Sequence, residues 1–121
     1  MVFVASNKAR RLLYVSYLGR VNPAELSRTS PDLESLADEL SPGFRLLVDL
    51  TGLDAMDLEC MTEIGRIMEM LDRRGVGLIV RVIPDPAKDI GLNIFSIFHH
   101  PHRPQVEVCK TMTEAGARLG L

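Results

Sequence analysis

FRLLVDLTGLDAMDLECMTEIGRIMEMLDRR, residues 44–74, contains a complete strand–loop–helix unit. Residues 44–50 are nearly all apolar, the composition of a strand buried on both faces of a sheet. Thr51-Gly52 breaks that run, and Leu53-Asp54-Ala55-Met56 reads as a loop leading to Asp57. Beyond it Cys60/Met61, Ile64, Ile67/Met68 and Leu71 recur at helical spacing. Asp57 stands where an N-cap belongs, and Glu59 adds negative charge to the first turn, where the helix dipole favours it. Arg73-Arg74 and then Gly75 close the last turn, with cations at the negative end and a residue that tolerates positive φ.

Upstream of this unit, residues 2–6 and 12–18 are short runs rich in β-branched and aromatic residues, separated by Asn7-Lys8-Ala9-Arg10. They predict an antiparallel hairpin with a basic, wet turn. Alternation sets Leu13, Val15 and Tyr17 on one face and Leu12, Tyr14 and Ser16 on the other, with both faces covered. Asn22-Pro23 is a helix start, a cap followed by proline at the first helical position. Leu26, Leu33, Leu36 and Leu40 follow at helical spacing, but Ser30-Pro31 interrupts them, which predicts two pieces, residues 23–28 and 31–40.

Downstream, residues 76–83 form a second apolar run in which Arg81 is the lone charged residue, a strand parallel to 44–50 because a helix intervenes. Asp85-Pro86 caps a third helix, residues 86–98. A histidine- and proline-rich segment, residues 99–104, precedes a short strand at 105–109 and a helix at 111–119 whose Met112, Ala115 and Leu119 face inward. The order predicts a single-domain α/β protein spanning residues 1–121. Its mixed sheet combines an N-terminal antiparallel hairpin with parallel βα units and packed helices.

The bulk numbers suit that picture. A chain of 121 residues, 46% apolar and 25% charged, has enough apolar surface for one core. A net charge of −2 offers no footing for nucleic acid or an anionic membrane. Cys60 and Cys109 read as free thiols of a reducing compartment, and neither a signal peptide nor an apolar run of about 20 residues is present. The expectation is a cytoplasmic protein without membrane insertion.

The central unit resembles a STAS domain, the anti-sigma-factor-antagonist family, whose members carry a buried strand ending in Asp-Leu, a short loop, then Met-Asp-Ser-Ser-Gly-Leu opening a helix. VDLTGLDAMDLECM keeps the strand, the loop length and Met56-Asp57, and Gly19-Arg20-Val21-Asn22 looks like the family's Gly-x-Leu-Asp segment. The family's phosphorylatable hydroxyl falls on Glu59, the residue before it on Leu58 and the following glycine on Cys60. The resemblance implies that this helix N-terminus binds a protein partner. It also implies that Glu59 mimics a phosphorylated hydroxyl permanently, with about one charge instead of nearly two.

Signatures of chemistry are sparse. No glycine-rich phosphate loop follows a strand, no Cys-x-x-Cys occurs, and no serine sits at a strand-to-helix elbow, so neither an enzyme nor a cofactor is expected. His99, His100 and His102 lack a neighbouring fourth ligand, and prolines hold the segment extended, so a solvated loop is expected there and no metal. Asp54, Asp57, Glu59 and Glu63 read as charges of a capped helix. Met70 lies off its helix's apolar stripe, and Leu92 and Phe95 lie off that of the third helix, which leaves apolar surface for a partner or a homodimer.

Two functions follow. The first is a non-enzymatic signalling module whose partner-binding residues are Asn22, Asp54, Met56, Asp57, Leu58, Glu59, Glu63, Leu92 and Phe95. The alternative is a small-molecule or lipid-binding protein with an apolar pocket between the Met-rich helix, the third helix and the sheet.

Overall fold

The computed structural model describes residues 1–85 and 99–121; the expected third helix, residues 86–98, lies outside the described residues. The elements run β1 (Val2–Asn7), β2 (Leu12–Tyr17), β3 (Gly19–Val21), α1 (Pro23–Asp38), β4 (Arg45–Asp49), β5 (Leu53–Met56), α2 (Cys60–Arg73), β6 (Leu78–Val82), β7 (Gln105–Cys109) and α3 (Met112–Leu119). Five strands form one sheet in the order β1-β2-β4-β6-β7. The β1–β2 hairpin is antiparallel and every other pairing in that sheet is parallel. The sheet is therefore mixed, as the sequence predicts, with β4 at its centre. In β4–β6 pairing Leu46 lies opposite Ile79 and Val48 opposite Arg81.

The continuous apolar runs of β4 and β6 are explained by a core on each face. One face collects Leu13, Val15, Leu46, Val48 and Ile79 with the buried residues of α1 and α2. The other collects Leu12, Leu47, Val80 and Val82 with Ala115 and Leu119 of α3. Period-2 alternation sends neighbouring residues to opposite cores, so neither face tolerates charge without a partner. Met112 points the other way from the expectation: it is exposed at the start of α3, where Thr111 caps the helix by accepting from the Glu114 amide at 3.1 Å.

Three further sequence expectations are corrected. α1 is one continuous helix across Pro31. Proline at that position cannot donate to the carbonyl four residues back, a cost of about 3 kcal/mol. Leu26, Leu33 and Ala37 nonetheless bury on one face spanning the proline, and only an unbroken helix aligns them. Met70 is buried, since α1 packs beside α2 and covers the flank that the stripe leaves open. Residues 53–56 form strand β5, which pairs in parallel with β3 in a separate two-stranded ribbon. Gly75 ends α2 at φ 88°, as its sequence position implies.

Candidate functional site

The ribbon β3–β5 brings together two segments more than 30 residues apart, the turn before α1 and the turn before α2. Asp57 donates its amide to the Val21 carbonyl at 3.1 Å, and the Cys60 thiol donates to the same oxygen at 3.5 Å. Arg20 closes the outside, with its Nε 3.1 Å and Nη2 2.8 Å from Asp57 Oδ1. The start of α2 is thus pinned to the start of α1 by backbone, thiol and ion pair. Burial, assisted by the Asp57 carboxylate, pushes the Cys60 thiol up, so it serves as a neutral donor and not as a nucleophile.

Asp57 does not cap α2, contrary to expectation. The helix begins at Cys60 with Glu59 in the cap position, where its side chain makes no capping hydrogen bond. The reason is β5: pairing with β3 carries the extended chain through Met56, and Asp57 and Leu58 then make the tight turn closed by Cys60 N to Asp57 O at 2.9 Å. Glu59 is left exposed at the positive end of the helix dipole.

The other candidate residues fall out as follows. Leu58 projects from the turn with 79% of its surface exposed. Asp54 is exposed on β5, and Met56, at the end of the same strand, is half-buried. Glu63 sits one turn into α2, paired with Arg66 at 3.4 Å. Asn22 adjoins this surface, but its Oδ1 is engaged in capping α1 by accepting the Glu25 amide at 3.0 Å. Leu92 and Phe95 lie outside the described residues. Arg20 was not foreseen; its clue was the Gly19–Asn22 motif, but its partner Asp57 is identified only by the ribbon.

The histidine segment is solvated only in part: Pro101, His102 and Arg103 are exposed, as expected, but His100 is not. His100 is 2% exposed, and the segment docks on the α2 carboxylates. His99 Nδ1 lies 2.9 Å from Glu69 Oε1. Asp72, itself buried, accepts the His102 amide at 3.2 Å, contacts the His102 ring, and lies 3.5 Å from His100 Nδ1. The signal for this was Asp72 itself, a carboxylate directly after Leu71 on the buried side of α2. Among the described residues no cluster of metal-ligand type occurs, and no helix is long and apolar enough to cross a membrane.

No family model and no curated protein sequence matches the chain. Solved structures do. An uncharacterized DUF3478-family protein with a SpoIIAA-like fold from Shewanella loihica PV-4 superposes with TM-score 0.72 at 15% identity, covering 98% of this chain and 92% of that one. The phosphorylated form of SpoIIAA, a Bacillus cell fate determinant, matches with TM-score 0.66 at 12% identity over 98% and 99% of the two chains. An anti-sigma factor antagonist from Mycobacterium paratuberculosis matches with TM-score 0.55 at 17% identity over 100% and 94%. The fold is accordingly the SpoIIAA-like, STAS-type fold that the central unit implies.

Proposed function

We propose, with the SpoIIAA-like fold as premise, that the chain is a non-enzymatic, single-domain regulatory module of the cytoplasm that binds a protein partner. The binding surface is the turn between β5 and α2. Leu58 is its apolar anchor, Asp54, Glu59 and Glu63 set its negative field, and Met56, Asp57 and Asn22 support it from below and beside. The observation that carries this reading is the exposure of Leu58. A large apolar side chain is held in water by a turn pinned through Val21, Arg20 and Asp57, an arrangement that costs solvation and little further entropy on binding. Glu59 occupies the switch position as a fixed negative charge, so the module stays in one signalling state.

The experiment is affinity capture and quantitative mass spectrometry from the source organism, comparing the native chain with Leu58→Asp and Glu59→Lys. Both positions are exposed, so both variants should fold; Leu58→Asp should melt close to the native protein, and Glu59→Lys should lose about 1 kcal/mol by placing a cation at the positive end of the helix dipole. A partner held by the native chain and lost with both variants is the expected result. A partner set unaffected by either substitution removes this surface from the function.

A further inference from the structure

The parallel strands all start at one end of the sheet, where Leu12, Arg45, Leu78 and Gln105 lie side by side across β2, β4, β6 and β7. Arginines from segments remote in sequence collect at this end. Arg10 and Arg11 lead into β2, Arg45 opens β4, Arg73 ends α2 ahead of the turn into β6, and Arg103 precedes β7. Backbone hydrogen bonds tie these segments together. Arg45 donates its amide to the Arg11 carbonyl at 2.9 Å, Gly43 to the Gly75 carbonyl at 2.7 Å, and Gln105 to the Gly77 carbonyl at 3.1 Å. Arg45 is half-buried, and the other arginines are exposed.

Among the described residues, none of these arginines has a carboxylate within ion-pair distance. Arg45 donates to the carbonyls of Leu119 and Arg10, and Arg11 to that of Pro42. A carbonyl fixes a guanidinium in place but leaves its charge unneutralised and further N–H donors unused. The carboxylates of neighbouring segments are already engaged: Glu39 pairs with Lys8, Glu34 and Asp38 with Arg74, and Glu107 with Arg118. The backbone adds a second observation. Arg11 and Arg103 are the described non-glycine residues with positive φ, at 51° and 49°. That left-handed region favours glycine, and a side chain there is strained. Two arginines held so at one end of the sheet point to a use for their side chains beyond the turns themselves.

We propose that this basic end is a docking surface for an extended acidic segment of a protein, a stretch rich in Asp or Glu. Neighbouring strands lie about 4.8 Å apart, so the row from β2 to β7 spans roughly 14 Å, the length of about four extended residues. Carboxylates along such a stretch meet the guanidiniums in charge-assisted, bidentate pairs. Nucleic acid fits less well. Phe3 is the one aromatic among the exposed large apolar residues described, and it pairs with Ser16 towards the other end of the hairpin, so this end offers no base a stacking platform. The opposite end of the sheet carries Asp54 and Glu59, also without ion-pair partners among the described residues, which disfavours a long polyanion over a short acidic stretch. α2, 14 residues and about 21 Å long, separates the basic end from the Leu58 turn, so neither surface depends on the other.

Titration of the intact protein with octaglutamate, octalysine and octathymidylate, followed by amide NMR, tests this. Octaglutamate should saturate, shift the amides of Arg11, Arg45 and Arg103 while sparing Leu58, and weaken about tenfold as salt rises from about 50 to about 200 mM. Octalysine should leave those amides unmoved. The double variant Arg11→Gly, Arg103→Gly removes two cations and places glycine where φ is positive, so it should melt at or above the native temperature. It should bind octaglutamate at least about tenfold more weakly. Undiminished binding by that folded variant, no saturable binding at millimolar concentration, or shifts confined to other segments would each overturn the proposal. Octathymidylate binding as tightly as octaglutamate would also overturn it, in favour of nucleic acid. So would concentration-dependent self-association of the native protein in sedimentation that the double variant abolishes, which would make a second copy the occupant.

Discussion

Ile79→Ala probes the centre of the structure most directly. Ile79 is 1% exposed, sits on β6 opposite Leu46, and faces a small cavity beneath α2. The substitution removes three carbons, a transfer loss of about 2.4 kcal/mol at ~0.8 kcal/mol per methylene. It also vacates roughly 80 Å³ of side-chain volume. Parallel strands on both sides hold β6 in place, and space already open beside Ile79 limits how far neighbours can close in. If half the volume stays empty, the cavity term adds about 1 kcal/mol at ~24 cal/mol per Å³, for a total near 3.5 kcal/mol. That is a large share of the ~5–15 kcal/mol stability of a typical domain. Urea denaturation at 25 °C should show the midpoint falling with an unchanged slope, and the melting temperature should drop by roughly 10–17 °C. Val106→Ala, on exposed edge strand β7, is the control and should cost less than about 1 kcal/mol. A loss below about 1 kcal/mol for Ile79→Ala would refute both the central placement of β6 and the packing around the cavity.

Other outcomes follow from the same geometry. Val48→Asp should abolish folding, because it places a carboxylate in the buried strand at the sheet's centre; soluble protein with a cooperative melt would contradict the assignment. Arg20→Ala breaks an ion pair whose arginine is mostly exposed, so stability should change by no more than about 0.5 kcal/mol, while partner affinity falls as the turn loosens; a loss of several kcal/mol by urea titration would count against this. His100 is held neutral below its unfolded value near 6.5, so the unfolded chain binds more protons in that window. Stability should therefore be full above about pH 6.5 and decline as pH falls through the lowered native value, and His100→Gln should flatten that slope; an unchanged slope would exclude His100 as its source. Phosphopeptide mapping should find no phosphate on residues 57–61, which carry no hydroxyl, and modification of Thr62 in cells would end the idea of a fixed state. Independently of that geometry, the sequence expectation that Phe95 packs across a two-fold contact is tested by Phe95→Glu: conversion of a dimer to a folded monomer in sedimentation is the expected result, and insoluble protein would withdraw the contact.

The sequence alone determined the elements whose signal is local. Residues 44–50 and 76–83 announce buried strands because both faces of a central parallel strand must be apolar, and the spacing from Cys60 to Leu71 announces a helix because 3.6-residue periodicity needs no knowledge of the neighbours. The fold followed from that order of elements. Only tertiary structure decided what depends on distant partners. Leu53–Met56 looks like a loop until Gly19–Val21 lies beside it, and that pairing moves the α2 cap from Asp57 to Glu59 and gives Arg20 its role. Pro31 reads as a break until the shared burial of Leu26, Leu33 and Ala37 outweighs one lost hydrogen bond. His100 reads as wet, like the exposed His102, because polarity is judged residue by residue. Burial sets His100 beside Asp72 and within the field of Arg81, both remote from it in sequence, and neither spacing nor composition carries that placement.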